Sequence, residues 1–197
     1  MKKYENRFIA AVLAMAAFLA AGPAVSAQET YVMDTKGSHA FIQFKIKHLG
    51  YSWLLGQFNQ FEGEFQLDDK QPEKSKVNVE IDVASVDSNH ADRDKHLRNA
   101  DFLDVKTYPK ASFVSTKVEK TGENTAKVTG DFTLKGITKP VVLDVNYIGG
   151  GKDPWGGYRQ GFEATTQFPL KDFGIDYDLG PASQVVDIYI SVEGIRK

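Results

Sequence analysis

Ala40-Phe41-Ile42-Gln43-Phe44-Lys45-Ile46-Lys47 alternates without a break: Ile42, Phe44 and Ile46 take one face, while Gln43, Lys45 and Lys47 take the other. A period of two sends successive side chains to opposite sides of a strand, so this segment reads as a strand with one dry and one wet face. The same pattern recurs in Val77, Val79, Ile81 and Val83, which alternate with Asn78, Glu80 and Asp82. It recurs again in Val186, Ile188, Ile190 and Val192, separated by Asp187, Tyr189 and Ser191. Weaker versions cover residues 57–67, 111–120, 125–134, 141–148 and 158–168, with a short piece at 31–34. Turn signals separate them, among them Thr121-Gly122-Glu123-Asn124, Lys135-Gly136 and Gly149-Gly150-Gly151. Such a meander must protect its edges, and long strands with short links favour closure into an antiparallel β-barrel of about eight strands. The interior of a barrel that size holds either one small ligand or a packed core. Alternation does not choose between them.

Composition narrows the function. The chain has 197 residues, with 24 Lys+Arg against 26 Asp+Glu and a formal net charge of −2. A near-neutral balance argues against a nucleic-acid surface. The absence of cysteine excludes disulfides, thiolate zinc sites, Fe–S clusters and cysteine nucleophiles.

Residues 1–27 read as an address. Lys2, Lys3 and Arg7 precede a 14-residue apolar run over 8–21, Gly22-Pro23 breaks it, and Val25-Ser26-Ala27 offers a cleavage point. Those parts in that order make a secretory signal, with cleavage expected after Ala27. The run falls short of the roughly 20 residues that a membrane span needs. The remaining 170 residues hold 21 basic against 25 acidic side chains, a net of −4, and contain no stretch long enough to span a bilayer.

Two segments interrupt the meander. One is Leu49-Gly50-Tyr51-Ser52-Trp53-Leu54-Leu55-Gly56, an apolar connection bounded by glycines whose aromatic residues either gate the barrel or plug one end. The other, residues 89–104, is the one expected helix, packed on the barrel or across its end. Asn89 is its N-cap, and Asp92 and Asp94 precede Lys95 and Arg98. Arg93, His96, Leu97, Ala100 and Leu103 then share a face. Arg93 and His96 are candidate contacts for a polar head group, against the blander reading that Arg93 pairs with a nearby carboxylate.

The remaining chemistry is thin. The run from His90 to His96 offers His90 beside Asp94 and His96 beside Asp92, two pairs rather than a cage, so no metal site is expected. There is no Gly-x-Ser-x-Gly elbow, and the glycine run at 149–151 leads into a turn rather than a helix. No cofactor and no catalytic residue are expected.

Several motifs in order carry a resemblance. Phe44-Lys45-Ile46-Lys47-His48-Leu49-Gly50-Tyr51-Ser52-Trp53 is followed by Asp87-Ser88-Asn89-His90 leading to Arg93, Asp94, His96 and Leu97, then by Asp101-Phe102-Leu103. Thr129-Gly130-Asp131-Phe132-Thr133-Leu134, Gly136-Ile137-Thr138-Lys139-Pro140, Asp153-Pro154-Trp155-Gly156-Gly157 and Leu170-Lys171-Asp172-Phe173-Gly174 complete the set. The chain resembles the YceI-like family of bacterial exported proteins from about residue 31 to 194. The resemblance implies a lipocalin-like barrel in the Gram-negative periplasm whose interior holds a polyisoprenoid or similar amphiphile: a quinone, a prenyl phosphate or a fatty-acid derivative. It implies no catalytic motif. On this reading Ile42, Phe44, Ile46, Phe61, Phe65, Val79, Ile81, Phe132, Leu143, Phe162, Ile188 and Ile190 point inward, with Tyr51 and Trp53 beside them at the opening. The expected function is non-enzymatic lipid binding, storage or transport. The alternatives are an enzyme using His48 or His96 on the same lipid, and a filled barrel that binds a protein partner. An exposed edge strand would make a homodimer easy.

Overall fold

The alternating segments pair in chain order. The computed structural model describes residues 28–197; the expected export signal, 1–27, lies outside the described residues. Its strands are β1 (Glu29–Met33), β2 (Ala40–His48), β3 (Ser52–Phe58), β4 (Phe61–Leu67), β5 (Lys76–Asp82) and β6 (Val86–Asp87). After α1 (Ala91–Leu97), the one α-helix among the described residues, come β7 (Lys110–Lys120), β8 (Thr125–Leu134), β9 (Ile137–Lys152), β10 (Tyr158–Pro169) and β11 (Val185–Arg196). The antiparallel ladder runs β1-β4-β5-β7-β8-β9-β10-β11, and β11 returns to β1 through Tyr31↔Arg196 and Met33↔Gly194. Eight strands therefore close into a barrel.

The three remaining strands prolong members of that ring. β2 takes up the edge of β11 where β1 leaves it, with Ala40 opposite Val192. β3 lies along β2, and β6 touches β3 only at Gln57 and Phe58. So β1–β2, β3–β4 and β5–β6 are three long strands, each broken once. The last break is a single 3-10 turn, Val83–Ser85, where the Asp82 carboxylate accepts the Ala84 N–H at 3.0 Å.

Four local expectations are corrected by this pairing. Residues 57–67 are not one strand: the chain kinks at Asn59-Gln60, where its neighbour changes from β2 to β1. The apolar connection 49–56 is mostly strand β3, because its backbone pairs with β2. Gly149, Gly150 and Gly151 are within β9, opposite Gly161, Gln160 and Arg159, and the turn falls instead around Pro154-Trp155-Gly156. The helix is shorter than residues 89–104, and its N-cap is His90, whose Nδ1 accepts the Arg93 N–H at 3.2 Å. Arg98 ends it, donating to the Ala84 and Val86 carbonyls at 2.6 and 2.5 Å. Ala100 and Leu103 therefore follow in turns.

Two apolar clusters pack within the barrel. At the end where β1 enters, Tyr31 stacks on Phe65 with centroids 5.2 Å apart, and Phe162 meets Phe65 edge-on at 5.4 Å. Toward the other end Phe132, Phe168 and Phe173 contact one another at 5.0–5.4 Å. Offset and edge-on rings of this kind add packing energy beyond their area. Side chains of both clusters border an open space inside the barrel.

Candidate functional site

The inward faces enclose a cavity of about 640 Å³, within the ordinary range for a ligand pocket of roughly 300–1,000 Å³. Its wall is built from the alternating strands: Ile42, Phe44 and Ile46 from β2, Ile81 from β5, Phe132 from β8, Leu143 from β9, Phe162 from β10 and Ile188 and Ile190 from β11. Phe65 and Val79 also line it. The strand period explains the uniformity, because every inward position belongs to the dry half of an alternating segment.

Polar side chains gather at the ends. Where β2 turns into β3, the lining includes Lys47, His48, Arg93, His96, Tyr177 and Ser183. The opposite end contributes Ser75 and Lys76. Arg93 is held without a carboxylate of its own: Nε donates to the Ser88 hydroxyl at 2.7 Å and Nη2 to the Ser88 carbonyl at 2.6 Å. Ser88 in turn donates its hydroxyl and its N–H to the buried Asp94 carboxylate at 2.5 and 2.8 Å. The guanidinium is thus positioned by a relay through Ser88, with its charge at the rim. His96 is 3.3 Å from Asp101 and stands edge-on to Phe102 and Tyr177, with centroids 4.9 and 5.3 Å away. The Ser183 hydroxyl donates to the Lys47 carbonyl at 2.5 Å, tying the loop before β11 to the β2–β3 hairpin.

The sequence-predicted residues divide cleanly. Ile42, Phe44, Ile46, Phe65, Ile81, Phe132, Leu143, Phe162 and Ile188 line the cavity, as do Arg93 and His96. Phe61 does not; it is half-buried and packs against both clusters. Tyr51 and Trp53 do not either. The pairing Lys47↔Trp53 puts Trp53 on the outer face, and Tyr51 lies in the turn, 88% exposed. Leu54, one residue beyond Trp53 and so on the opposite face, pairs with Ile46 and faces inward. Lining residues that sequence reasoning missed include Phe58, Phe113 and Val128. Phe113 and Val128 sit in phase within recognised strands, whereas Phe58 was obscured by the kink that follows it.

A separate polar cluster lies on the outside of the barrel. Arg159 donates to Asp34 at 2.8 Å, to Asp153 at 2.9 Å and to Glu193, while His39 Nδ1 is 3.0 Å from Asp34. Hydrogen bonds from Arg159 and His39 hold the Asp34 carboxyl down at about 2, and its three carboxylate partners hold the guanidinium firmly protonated. Asp34, His39 and Glu193 converge closely enough to suggest a cation site, but the Arg159 guanidinium already occupies the Asp34 and Glu193 carboxylates. The cluster pins residues 34–39, the excursion between β1 and β2. Inside the barrel, burial and the neighbouring Glu29 push the Tyr31 hydroxyl up to about 12, so it stays protonated and donates to Glu29 at 2.5 Å.

Comparison with known proteins follows this geometry. The YceI-like domain matches residues 31–194, nearly the whole described chain. The chain belongs to the YceI-like family. It is 58% identical over 192 residues to a UPF0312 protein of Azotobacter vinelandii, covering 98% of this chain and 99% of that one. Among solved structures, Burkholderia cenocepacia BcnA superposes with a TM-score of 0.72 at 24% identity, covering 82% of this chain and 98% of that chain. A Saccharophagus degradans domain described as polyisoprenoid binding, and implicated in plant cell wall breakdown, has a TM-score of 0.63 at 14% identity. That match covers 85% of this chain and 98% of the other. At these identities the two structures establish a shared fold. The lipocalin-like YceI barrel expected from the sequence is the fold observed.

Proposed function

We propose that this YceI-like protein is a non-enzymatic carrier or reservoir for a long-chain amphiphile of the isoprenoid or quinone type, acting in the periplasm after export. The observation that carries the reading is the barrel cavity of about 640 Å³, lined mostly by apolar side chains with polar ones gathered at its ends. The polyisoprenoid-binding description of the S. degradans domain supports the ligand class. The basic, apolar, small-residue order of residues 1–27 supports export.

Size and energy are consistent with a lipid tail. At about 30 Å³ per water-sized group, the cavity holds roughly twenty methylene or methyl groups. Each buried methylene is worth about 0.8 kcal/mol, so a full chain supplies on the order of 16 kcal/mol before costs. Lost translational and rotational freedom takes back an estimated 4–15 kcal/mol, so tail burial alone reaches useful affinity. The head group then needs only a polar rim, which His48, Arg93 and His96 provide. Recognition by length and girth requires no reactive residue.

Titration with prenyl alcohols and prenyl quinones of increasing length tests this. Affinity should rise with each added unit until the cavity is full and then level off. Equal affinity for all lengths, or turnover of the lipid that disappears on His48→Ala or His96→Ala, would overturn the carrier reading.

A further inference from the structure

The β2–β3 hairpin has a surface that lipid storage alone does not require. Leu49, Tyr51 and Leu55 are 56%, 88% and 65% exposed, and Trp53 is 46% exposed. Four large apolar side chains are thus exposed on one hairpin, and exposed apolar surface of this kind marks interaction sites. Between Ala40 and Phe61 there is no acidic residue, only Lys45, Lys47 and His48. The Lys45 and Lys47 ammonium groups stand 4.6 and 5.6 Å from the Trp53 ring centroid.

We propose that this hairpin docks the barrel on an anionic phospholipid bilayer. The lysine pair meets the lipid phosphates, and the aliphatic and aromatic tip sits in the interface. The inference rests on the lipid-carrier reading of the cavity and names the surface from which the cavity loads.

The layering along the hairpin fits a membrane interface. Leu49 and Tyr51 occupy the tip, and Trp53 lies two residues back, roughly 7 Å along the strand. Lys47 is opposite Trp53 and Lys45 opposite Leu55. Tryptophan and tyrosine rings settle at the level of the head groups, and lysines near them are drawn to anionic lipid. Docking is shallow, because residues 52–56 have no strand partner beyond β2 among the described residues. Their unpaired backbone groups must stay hydrated. The same hairpin gives His48 and Leu49 to the cavity rim. A lipid leaving the bilayer beside the tip therefore enters the barrel without its tail crossing water.

A second copy pairing along the open β3 edge is the rival occupant. It would set two positive hairpins side by side, with Asp187 of β11, 3.7 Å from Lys45, offsetting that lysine alone, whereas anionic lipid complements both.

The test uses the mature chain carrying Trp155→Phe, which leaves Trp53 as the one tryptophan. Vesicles of phosphatidylcholine alone, and of phosphatidylcholine with equimolar phosphatidylglycerol, are mixed with it; neither contains an isoprenoid. Co-sedimentation with the anionic vesicles, a blue shift of Trp53 emission and weakening by salt are expected. Lys45→Gln with Lys47→Gln should reduce vesicle affinity about 25-fold, roughly fivefold for each charge near the surface. Leu49→Ser with Tyr51→Ser, both exposed and so without effect on folding, should abolish the blue shift. No association with anionic vesicles, or association that leaves Trp53 emission unchanged, overturns the proposal. So does a dimer in sedimentation velocity that Leu55→Ser dissociates while vesicles remain unbound. If docking fails but lipid is still recovered from the barrel, this proposal falls and the carrier function stands. Docking by a barrel that never yields lipid has the opposite meaning.

Discussion

Replacing Ala164 by phenylalanine should shorten the chain that the barrel holds. Ala164 is buried in the middle of β10, opposite Val145 on one side and Ile190 on the other, and all three line the cavity. The change adds six carbons that have nowhere to go but the void. At about 30 Å³ per water-sized group they occupy roughly 180 Å³, between a quarter and a third of the 640 Å³ present. Capacity drops from roughly twenty groups to about fourteen. A ligand that fills the wild-type cavity loses up to six buried methylenes, or about 5 kcal/mol at 0.8 kcal/mol each, while one that is shorter by one or two isoprene units is unaffected. The assay is a titration of both proteins with a prenyl series of increasing length, together with thermal unfolding without lipid. The longest chains should weaken by up to several thousandfold, the optimum should move to shorter ones, and the melting temperature should hold or rise because new apolar surface is buried. Unchanged affinity for the longest chains would refute a tail seated beside β10. A large loss of stability would refute the void, since overpacking a filled core costs ~1–3 kcal/mol.

Arg159→Ala should destabilise the fold by about 3–5 kcal/mol, the usual cost of leaving buried carboxylates without their cation, because Asp34 and Asp153 are only 8% and 6% exposed. Thermal unfolding should show a fall of roughly 10 °C at this chain length. Asp34 makes the acid limb specific. Its carboxyl titrates at about 2 rather than its ordinary 3.8, so its contribution of about 2 kcal/mol is complete above pH ~4 and disappears as pH falls through 2. Denaturant midpoints between pH 5 and pH 2 should therefore fall more steeply for the wild type than for Asp34→Asn. Arg93→Ala with His96→Ala should weaken a prenyl phosphate and spare the uncharged prenyl alcohol, measured by competition; equal loss for both would remove these residues from head-group recognition.

The strands were legible because their information is local. β8 covers the same ten residues that alternation marks, and β2, β5 and β11 differ from their sequence limits only at the ends. What alternation could not show is where a neighbour changes. The kink at Asn59-Gln60 arises because β1 and β2 share one edge of β11 in succession, a fact of barrel closure that residues 57–67 do not contain. Gly149-Gly150-Gly151 looks like a turn in isolation and becomes strand because β10 lies against it. A side chain at Gly150 would collide with the Gln160 amide, so that pairing needs glycine there. Most of the cavity wall followed from phase alone. Read as a connection, the segment 49–56 puts Trp53 at the opening; as strand β3 in register with β2, its phase sends Trp53 out and Leu54 in. The relay from Arg93 through Ser88 to Asp94 is set by how residues 88–94 fold back, and residue identity alone did not disclose it.

Native mass spectrometry of the mature protein, purified under gentle conditions from cells that make it, tests the central claim most directly. A bound mass of several hundred daltons that extracts into organic solvent as an isoprenoid-type lipid, and whose loss accompanies Ala164→Phe, is the result expected. A clean protein mass that does not change on adding prenyl quinones, prenyl alcohols or prenyl phosphates would contradict the carrier reading.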